Sequence, residues 1–184
     1  MELLAQYPKT LSLNGIDYTL RPMQAGDRDV IVRLAQYLPE SDMAFIGRDI
    51  TNPEAVDEWL QDNERGHSIT LLVEEGERII AYGSLQLDNF YWSRHIGEIR
   101  LLVAAQYRNR GLGQKIVREL MSLARDAKLH KAIIYIASDD RAARRMLEGI
   151  GWQAEAMLAD WVMMRDGRTK DLLIMAVSLN EIKG

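Results

Sequence analysis

The stretch from Val103 to Gly113 decides the fold, and it reads Val-Ala-Ala-Gln-Tyr-Arg-Asn-Arg-Gly-Leu-Gly. It follows an apolar run typical of a strand and leads into a segment whose apolar residues recur with a helical period. Glycines let a backbone approach a ligand closely, and the first N–H groups of a helix favour an anion. Arg108 and Arg110 add positive charge. The stretch therefore predicts a loop that holds a pyrophosphate group.

Two common phosphate-binding motifs fit this loop poorly. A P-loop ends in Gly-Lys-Ser/Thr, whereas Gly113 is followed by Gln114 and Lys115. A dinucleotide fingerprint has a third glycine where this chain has Ile116, and it lies near the first strand of its unit rather than in mid-chain. A different phosphate-bearing ligand is therefore expected.

The remaining local patterns predict a mixed α/β domain. Asn14-Gly15 predicts the tight turn of a hairpin over residues 11–21. Asp27 is a candidate N-cap for a helix that reaches about Tyr37, and Asn52-Pro53 begins a second helix. With the later strands and helices the order is β-β-α-α-β-β-β-α-β-α-β-β, without repeats or linkers, so we expect one domain over residues 1–184. These later elements are strands at about 67–74, 78–87, 97–104, 131–137, 153–164 and 170–177, a helix from Leu112 and a helix opened by Asp140.

Composition excludes several classes of function. The chain has no cysteine, and its three histidines fit no metal-binding spacing, so we expect no metal. A net charge of −4 argues against a nucleic-acid partner, which needs a basic surface. No apolar run is long enough to span a membrane and no secretory leader is evident, so we expect no membrane partner and a cytoplasmic location.

The loop and its context resemble the GNAT superfamily of acyl-CoA-dependent N-acetyltransferases, whose signature is Gln/Arg-x-x-Gly-x-Gly/Ala between a strand and a helix. Arg108 to Gly113 match it. The resemblance runs from about Tyr18 to Val177 and is nearest to the phosphinothricin-type and bacterial protein-lysine branches. It implies an α/β GNAT fold, a mixed central β-sheet with splayed central strands and helices on both faces, and acetyl-CoA as acyl donor. The positions of a second family block, Asn-x-x-Ala-x-x-x-Tyr-x-x-x-Gly-Phe, are filled by Asp140, Ala143, Leu147, Gly151 and Trp152.

The resemblance also implies donor-binding residues. Asp140 stands where the family has an asparagine that contacts pantetheine. An ionised aspartate could accept a hydrogen bond from pantetheine but could not donate one. Aspartate is also a favourable N-cap residue for the helix that follows. Backbone groups of the strand before the loop would pair with pantetheine, at Leu101, Leu102 and Val103. The pyrophosphate would be held by the loop and the first helical turn, at Arg108, Asn109, Arg110, Gly111, Leu112, Gly113 and Gln114.

Glu98 is the candidate general base, because related acetyltransferases carry a glutamate at the matching place. An amine acceptor is mostly protonated at neutral pH, since the reference pKa of lysine is about 10.4, and its proton must leave before attack. The alternative role for Glu98 is a salt bridge with Arg100, which shares its face of the strand. Both roles can hold together.

Leu147 departs from the family pattern, in which a tyrosine protonates the departing thiolate. A thiol is a tolerable leaving group without an acid, and water, Tyr107 or Tyr135 could replace the tyrosine. The oxyanion would be held by a strand N–H near Leu102 or Val103. The mechanism expected is direct attack without an acyl-enzyme.

The acceptor is expected to be a primary amine, with a protein lysine favoured. The alternatives are a small-molecule amine or amino acid, and a non-catalytic acyl-CoA-binding module. Loop 88–96, with Tyr91, Trp92, Arg94 and His95, and the last hairpin with Trp161 are expected to border the acceptor side. Exposed aromatic side chains in such loops can bind a substrate, but they more often only pack. A homodimer through the Gln153–Val177 hairpin is a further hypothesis.

Overall fold

The computed structural model describes residues 2–36, 38–87 and 90–180 of the chain. The helices of this part are α1 (Arg28–Ala35), α2 (Glu40–Met43), α3 (Pro53–Glu64), α4 (Leu112–Asp126) and α5 (Arg141–Glu148). The strands are β1 (Lys9–Leu13), β2 (Ile16–Pro22), β3 (Ser68–Glu75), β4 (Arg78–Leu87), β5 (Ile96–Val103), β6 (Lys131–Ala137), β7 (Gln153–Met163) and β8 (Thr169–Ser178).

The strands of the described residues form one sheet in the order β1-β2-β3-β4-β5-β6-β8-β7. All neighbours are antiparallel except β5 and β6, which are parallel. The predicted order of elements is confirmed, with the short helix α2 as an addition. The predicted end of the first helix at Tyr37 and the start of the aromatic loop at Asp88 lie outside the described residues, and α1 ends at Ala35.

Helices cover both faces of the sheet, as expected. On one face α4 packs on β4 and β5, and the apolar period that predicted this helix supplies its buried residues. At Gly83 on β4 a Cβ atom would lie 2.4 Å from Ile116 of α4, so only glycine allows this approach. On the other face α1 and α3 enclose a second core cluster around Trp59 and Tyr82.

The central strands β5 and β6 separate half-way along their length. Their parallel ladder pairs Ile96–Ile99 with Lys131–Ile134 and then stops. Beyond that point β5 stays paired with β4 up to Val103, and β6 stays paired with β8 up to Ala137. The predicted splay is therefore present, and it leaves a gap that widens toward the loop before α4.

A half-buried ion network joins β2, β3 and the start of α1. Arg21 makes two hydrogen bonds of 2.8 Å to the carboxylate of Asp27, two of 2.7 and 2.9 Å to Glu74, and one of 3.1 Å to the carbonyl oxygen of Pro22. Asp27 also accepts the N–H of Gln24, so its side chain closes this turn rather than capping α1 as expected. Burial opposes ionisation of Asp27, but the hydrogen bonds from Arg21 and Gln24 outweigh burial and hold its pKa below the usual value.

The edge strand β7 is exposed along nearly its whole length and carries three large apolar side chains, Met157, Trp161 and Met163. Homodimerisation through this hairpin stays a prediction. Among the described residues, no helix is both long and apolar enough to cross a membrane.

Replacement of Asp27 by asparagine is expected to lower the free energy of unfolding by about 2 kcal/mol at pH 7, because Arg21 would lose one of its two charged partners. Since the folded-state pKa of Asp27 is lowered, its contribution is complete above the unfolded value near 3.9 and is lost as pH falls through the folded value. Urea unfolding of both proteins from pH 7 to pH 3 measures this difference, which should shrink below about pH 4.

The matched control is Asp57→Asn, which removes an exposed partner of Arg28 and should change stability by about 0.5 kcal/mol or less. Equal stability of Asp27→Asn and the natural protein at pH 7 would contradict a stabilising role for the network.

Candidate active site

The gap between β5 and β6 opens into a cavity of about 570 Å³. Helices α4 and α5 border the cavity on one side of the sheet. Residues 41–47, here called the chain around α2, border it on the other side. All the residues predicted to bind the donor or to act as the base line this cavity except Arg110 and Leu112. The predicted residues that the fold brings together here are Glu98, Leu101, Leu102, Val103, Arg108, Asn109, Gly111, Gly113, Gln114 and Asp140.

The loop and the first turn of α4 (residues 108–114) form a cradle of backbone groups. Asn109 and Gly111 adopt left-handed conformations, with φ of 59° and 86°, which turn the chain sharply into the helix. The N-cap Gly111 has no side chain to cap the helix, and the first helical bond there runs from the N–H of Lys115 to Gly111. The amides of residues 112–114 therefore have no acceptor within the helix, an arrangement that suits an anion.

Three of the residues predicted for the cradle have side chains in different surroundings. Arg108 donates from Nε to the carbonyl oxygen of Val103 at 2.9 Å, and its guanidinium pairs with the carboxylate of Asp42. Arg110 instead lies over the ring of Tyr107, 5.4 Å from its centroid. Leu112 is buried in the core, so only its backbone amide is available to a ligand.

The free edge of β5 presents alternate backbone groups to the gap. The N–H of Ala104 donates to Ile80 on β4 at 2.9 Å. Because backbone direction alternates along a strand, Leu102 also points toward β4, whereas Leu101 and Val103 point into the gap. Of the two amides expected to hold an oxyanion, Val103 is therefore the one directed into the cavity, and Leu102 contributes its side chain.

Glu98 lies at the point where the two strands part. Its carboxylate Oε1 accepts a hydrogen bond of 2.6 Å from Nε of Arg100, and each side chain is 22% exposed. The predicted salt bridge is thus present, within the cavity that both residues line. Alternate residues of a strand point to the same face, so Glu98 and Arg100 point to the same face as Leu102. Leu102 packs in the second core cluster, so this is the face of α1 and α3, opposite to α4.

Of the two tyrosines proposed to replace the missing acid, Tyr135 lines the cavity and Tyr107 does not. The hydroxyl of Tyr107 donates to the carboxylate of Glu75 at 2.6 Å, outside the site. Burial, together with the nearby carboxylate of Glu98, raises the pKa of Tyr135, so its hydroxyl stays protonated. Leu147 is fully buried and forms part of the core.

Asp140 caps α5 as expected. Its carboxylate Oδ1 accepts the N–H groups of Ala142 and Ala143 at 3.1 and 2.9 Å. The capped turn lines the α5 side of the cavity, which leaves contact with a donor by Asp140 as a prediction.

Sequence reasoning missed the wall formed by the chain around α2, which includes Asp42 and Phe45. Long-range contacts bring this segment to the site, among them the pairing of Asp42 with Arg108 and the packing of Ile46 in the second core cluster, and no local pattern signals them. Tyr91 and Trp92 are exposed beside the start of β5, and neither they nor Trp161 line the cavity. A contact of these side chains with the acceptor stays a prediction.

Comparison with known proteins places this geometry in a family. A family model described as "Acetyltransferase (GNAT) family" matches residues 35–152. The L-amino acid N-acyltransferase MnaT of Escherichia coli is 27% identical over 124 residues, which cover 67% of this chain and 72% of that protein. Within the described residues, no three His, Asp or Glu side chains are grouped to hold a metal ion.

Two solved structures share the fold. The ribosomal-protein-alanine N-acetyltransferase of Brucella melitensis has a TM-score of 0.76 at 24% identity, covering 86% of this chain and 98% of that one. The spermidine N-acetyltransferase of Vibrio cholerae, in complex with CoA and spermine, has a TM-score of 0.73 at 17% identity, covering 88% and 95%.

Proposed function

Because the chain belongs to the GNAT acetyltransferase family, we propose that the cavity between β5 and β6 is its active site and that Glu98 is the general base there. The enzyme is an acyl-CoA-dependent N-acetyltransferase with acetyl-CoA as donor. The observation that carries the proposal is the order of features along the gap: Glu98 stands where the strands part, and the uncapped amides of α4 stand at its far end.

The residues of the cavity fit such a donor. The amides of residues 112–114 lack helical acceptors and can bind a pyrophosphate group. The edge of β5 at Leu101 and Val103 lies beside no other strand, so it can pair with an extended amide chain in the way that a sheet gains a strand. Bound acetyl-CoA supplies the thioester carbonyl that is attacked.

The protein's own groups then act on the acceptor and on the developing charge. Glu98 accepts a proton from the acceptor ammonium and leaves a free amine for attack. The N–H of Val103, directed into the gap, donates to the oxygen on which negative charge develops. Tyr135 keeps its proton and is placed in the same cavity to donate it to the leaving thiolate.

The acceptor is a primary amine, and its identity is the finer part of the proposal. The protein lysine expected from the sequence stays a prediction, as does the cytoplasmic location. The name of the Escherichia coli relative supports a small acceptor with an α-amine instead. Acetyl transfer assayed with a panel of amino acids, polyamines and lysine-containing peptides distinguishes these classes.

Donor binding is tested by the thermal midpoint with acetyl-CoA, with adenosine and ATP as controls. At about 100 times the dissociation constant, binding adds about 2.7 kcal/mol, which for a chain of this size raises Tm by about 5–11 °C. A rise with acetyl-CoA alone supports the proposed site. The absence of a shift at millimolar acetyl-CoA would remove the cradle from donor binding.

Replacement of Glu98 by glutamine is expected to lower kcat by about 100-fold or more near neutral pH, since no side chain would accept the proton of the acceptor. The loss should diminish as pH rises, because more of the acceptor is then already unprotonated. The pH dependence of initial rates measures both effects. Glu58→Gln, on the exposed side of α3, is the matched control, and an unchanged kcat in Glu98→Gln would exclude this base.

Replacement of Asp42 by asparagine is expected to tighten CoA binding about fivefold, because Arg108 is released from a carboxylate and one negative charge near the donor phosphates is removed. Calorimetric titration with CoA at two salt concentrations measures this change, which should be smaller at high salt. Asp49→Asn, in the same segment but outside the cavity, is the control. Weaker CoA binding by Asp42→Asn would show that the Asp42–Arg108 pair instead holds the site in its binding form.

A further inference from the structure

The guanidinium of Arg100 is the least satisfied cationic group in the cavity. It donates one hydrogen bond, from Nε to Glu98, and within the described residues its two terminal nitrogens donate to no protein acceptor. The side chain is only 22% exposed, so water replaces few of these bonds. A half-buried guanidinium whose two terminal nitrogens have no acceptor can bind a carboxylate through two parallel hydrogen bonds, in a bidentate geometry.

The position of Arg100 is fixed by its neighbours. A Cβ atom at Gly47 would lie 3.0 Å from Cζ and from Nη1 of Arg100, so the backbone of Gly47 packs directly on the guanidinium. Gly47 has a φ of 79°, which favours glycine at this place. The chain around α2 therefore holds the guanidinium group of Arg100 beside Glu98 and away from solvent.

The anion that Arg100 could bind is not a phosphate of the donor. The cradle of residues 108–114 lies at the far end of the gap and on the face of α4. Arg100 lies with Glu98 on the opposite face, next to the chain around α2. An anion bound by Arg100 would thus belong to the molecule whose amine reaches Glu98.

We propose that Arg100 binds the α-carboxylate of the acceptor, so that the substrates are free α-amino acids; this rests on the proposed function of Glu98. In such a molecule the ammonium and the carboxylate are bonded to one carbon, through bonds of about 1.5 Å each. Glu98 and Arg100 are themselves in contact at 2.6 Å. The zwitterionic amino acid can therefore bind to the Glu98–Arg100 ion pair through two contacts at once. Its ammonium would contact Glu98, and its carboxylate would contact Arg100.

The side chain of the acceptor would lie against the chain around α2. Phe45 and Ile46 line the cavity there, and neither carries a charge. Apolar amino acids are therefore expected to be acetylated better than those with charged side chains.

The test compares each of the twenty amino acids with its own α-amide, which keeps the amine and the side chain but lacks the negative charge. In the natural protein, kcat/KM for the best amino acid should exceed that for its amide by about 30-fold or more. In Arg100→Gln this preference should disappear, because the amino acid reaction should lose about 30-fold more in kcat/KM than the amide reaction. Arg100→Lys keeps a charge without the fork and should retain part of the preference.

A binding measurement independent of turnover accompanies the rates. Calorimetric titration with the N-acetyl form of the best amino acid should show binding to the natural protein and none to Arg100→Gln, with Arg118→Gln on the exposed side of α4 as control. If Arg100→Gln does not fold, Arg100→Lys carries the comparison.

Three results would overturn the proposal for Arg100 and leave the proposed function standing. The first is equal kcat/KM for free amino acids and their amides, and the second is an equal loss of both of these reactions in Arg100→Gln. The third is acetylation of peptide lysines or polyamines but of no free amino acid. Equal loss would mean that Arg100 acts through Glu98 or on the thioester. Failure of the proposed function is distinct, since no amine would then be acetylated, and acetyl-CoA would not raise Tm.

Discussion

The site depends on the early end of one parallel ladder. β5 and β6 share four paired positions, whereas each keeps seven pairs with its outer neighbour, β4 or β8. The outer pairs hold the two strands on diverging courses, so neither is free to close onto the other. Unpaired backbone groups are costly when they are buried without a partner, and these groups are tolerated because they border an open cavity. The gap thus gives the protein a binding surface of backbone atoms without a loop insertion.

The same feature explains why Glu98 is well placed for proton transfer. Glu98 lies where β5 and β6 are still paired, one residue before the last pair of the parallel ladder. On its other edge, β5 is hydrogen-bonded to β4. The backbone of Glu98 is therefore as rigid as the centre of the sheet, while its side chain faces the cavity. A base on a rigid element needs little rearrangement to meet its substrate, which is how oriented groups contribute to rate.

Much of the fold could be predicted from the sequence because its signals are local. Asn14-Gly15 fixes a hairpin, and the apolar period after Gly111 fixes α4 and the face that it buries. The cradle and the capping role of Asp140 follow from short motifs in the same way. The chain around α2 could not be predicted, since a four-residue helix has no period and its contacts are with residues far away in the sequence, such as Arg108 and Arg100.

Two arginines of this structure show how a structural ion pair differs from a functional one. Arg21 makes five hydrogen bonds, to Glu74, Asp27 and the carbonyl oxygen of Pro22, so all of its donors are used within the protein. Arg100 is as deeply placed, yet one of its three nitrogens is used. Desolvating a charge is unfavourable unless its hydrogen bonds are replaced, so a network like that of Arg21 can stabilise a fold, whereas a singly bonded pair contributes little. Stability therefore accounts for Arg21 but not for Arg100, which lines the cavity where an acceptor must bind.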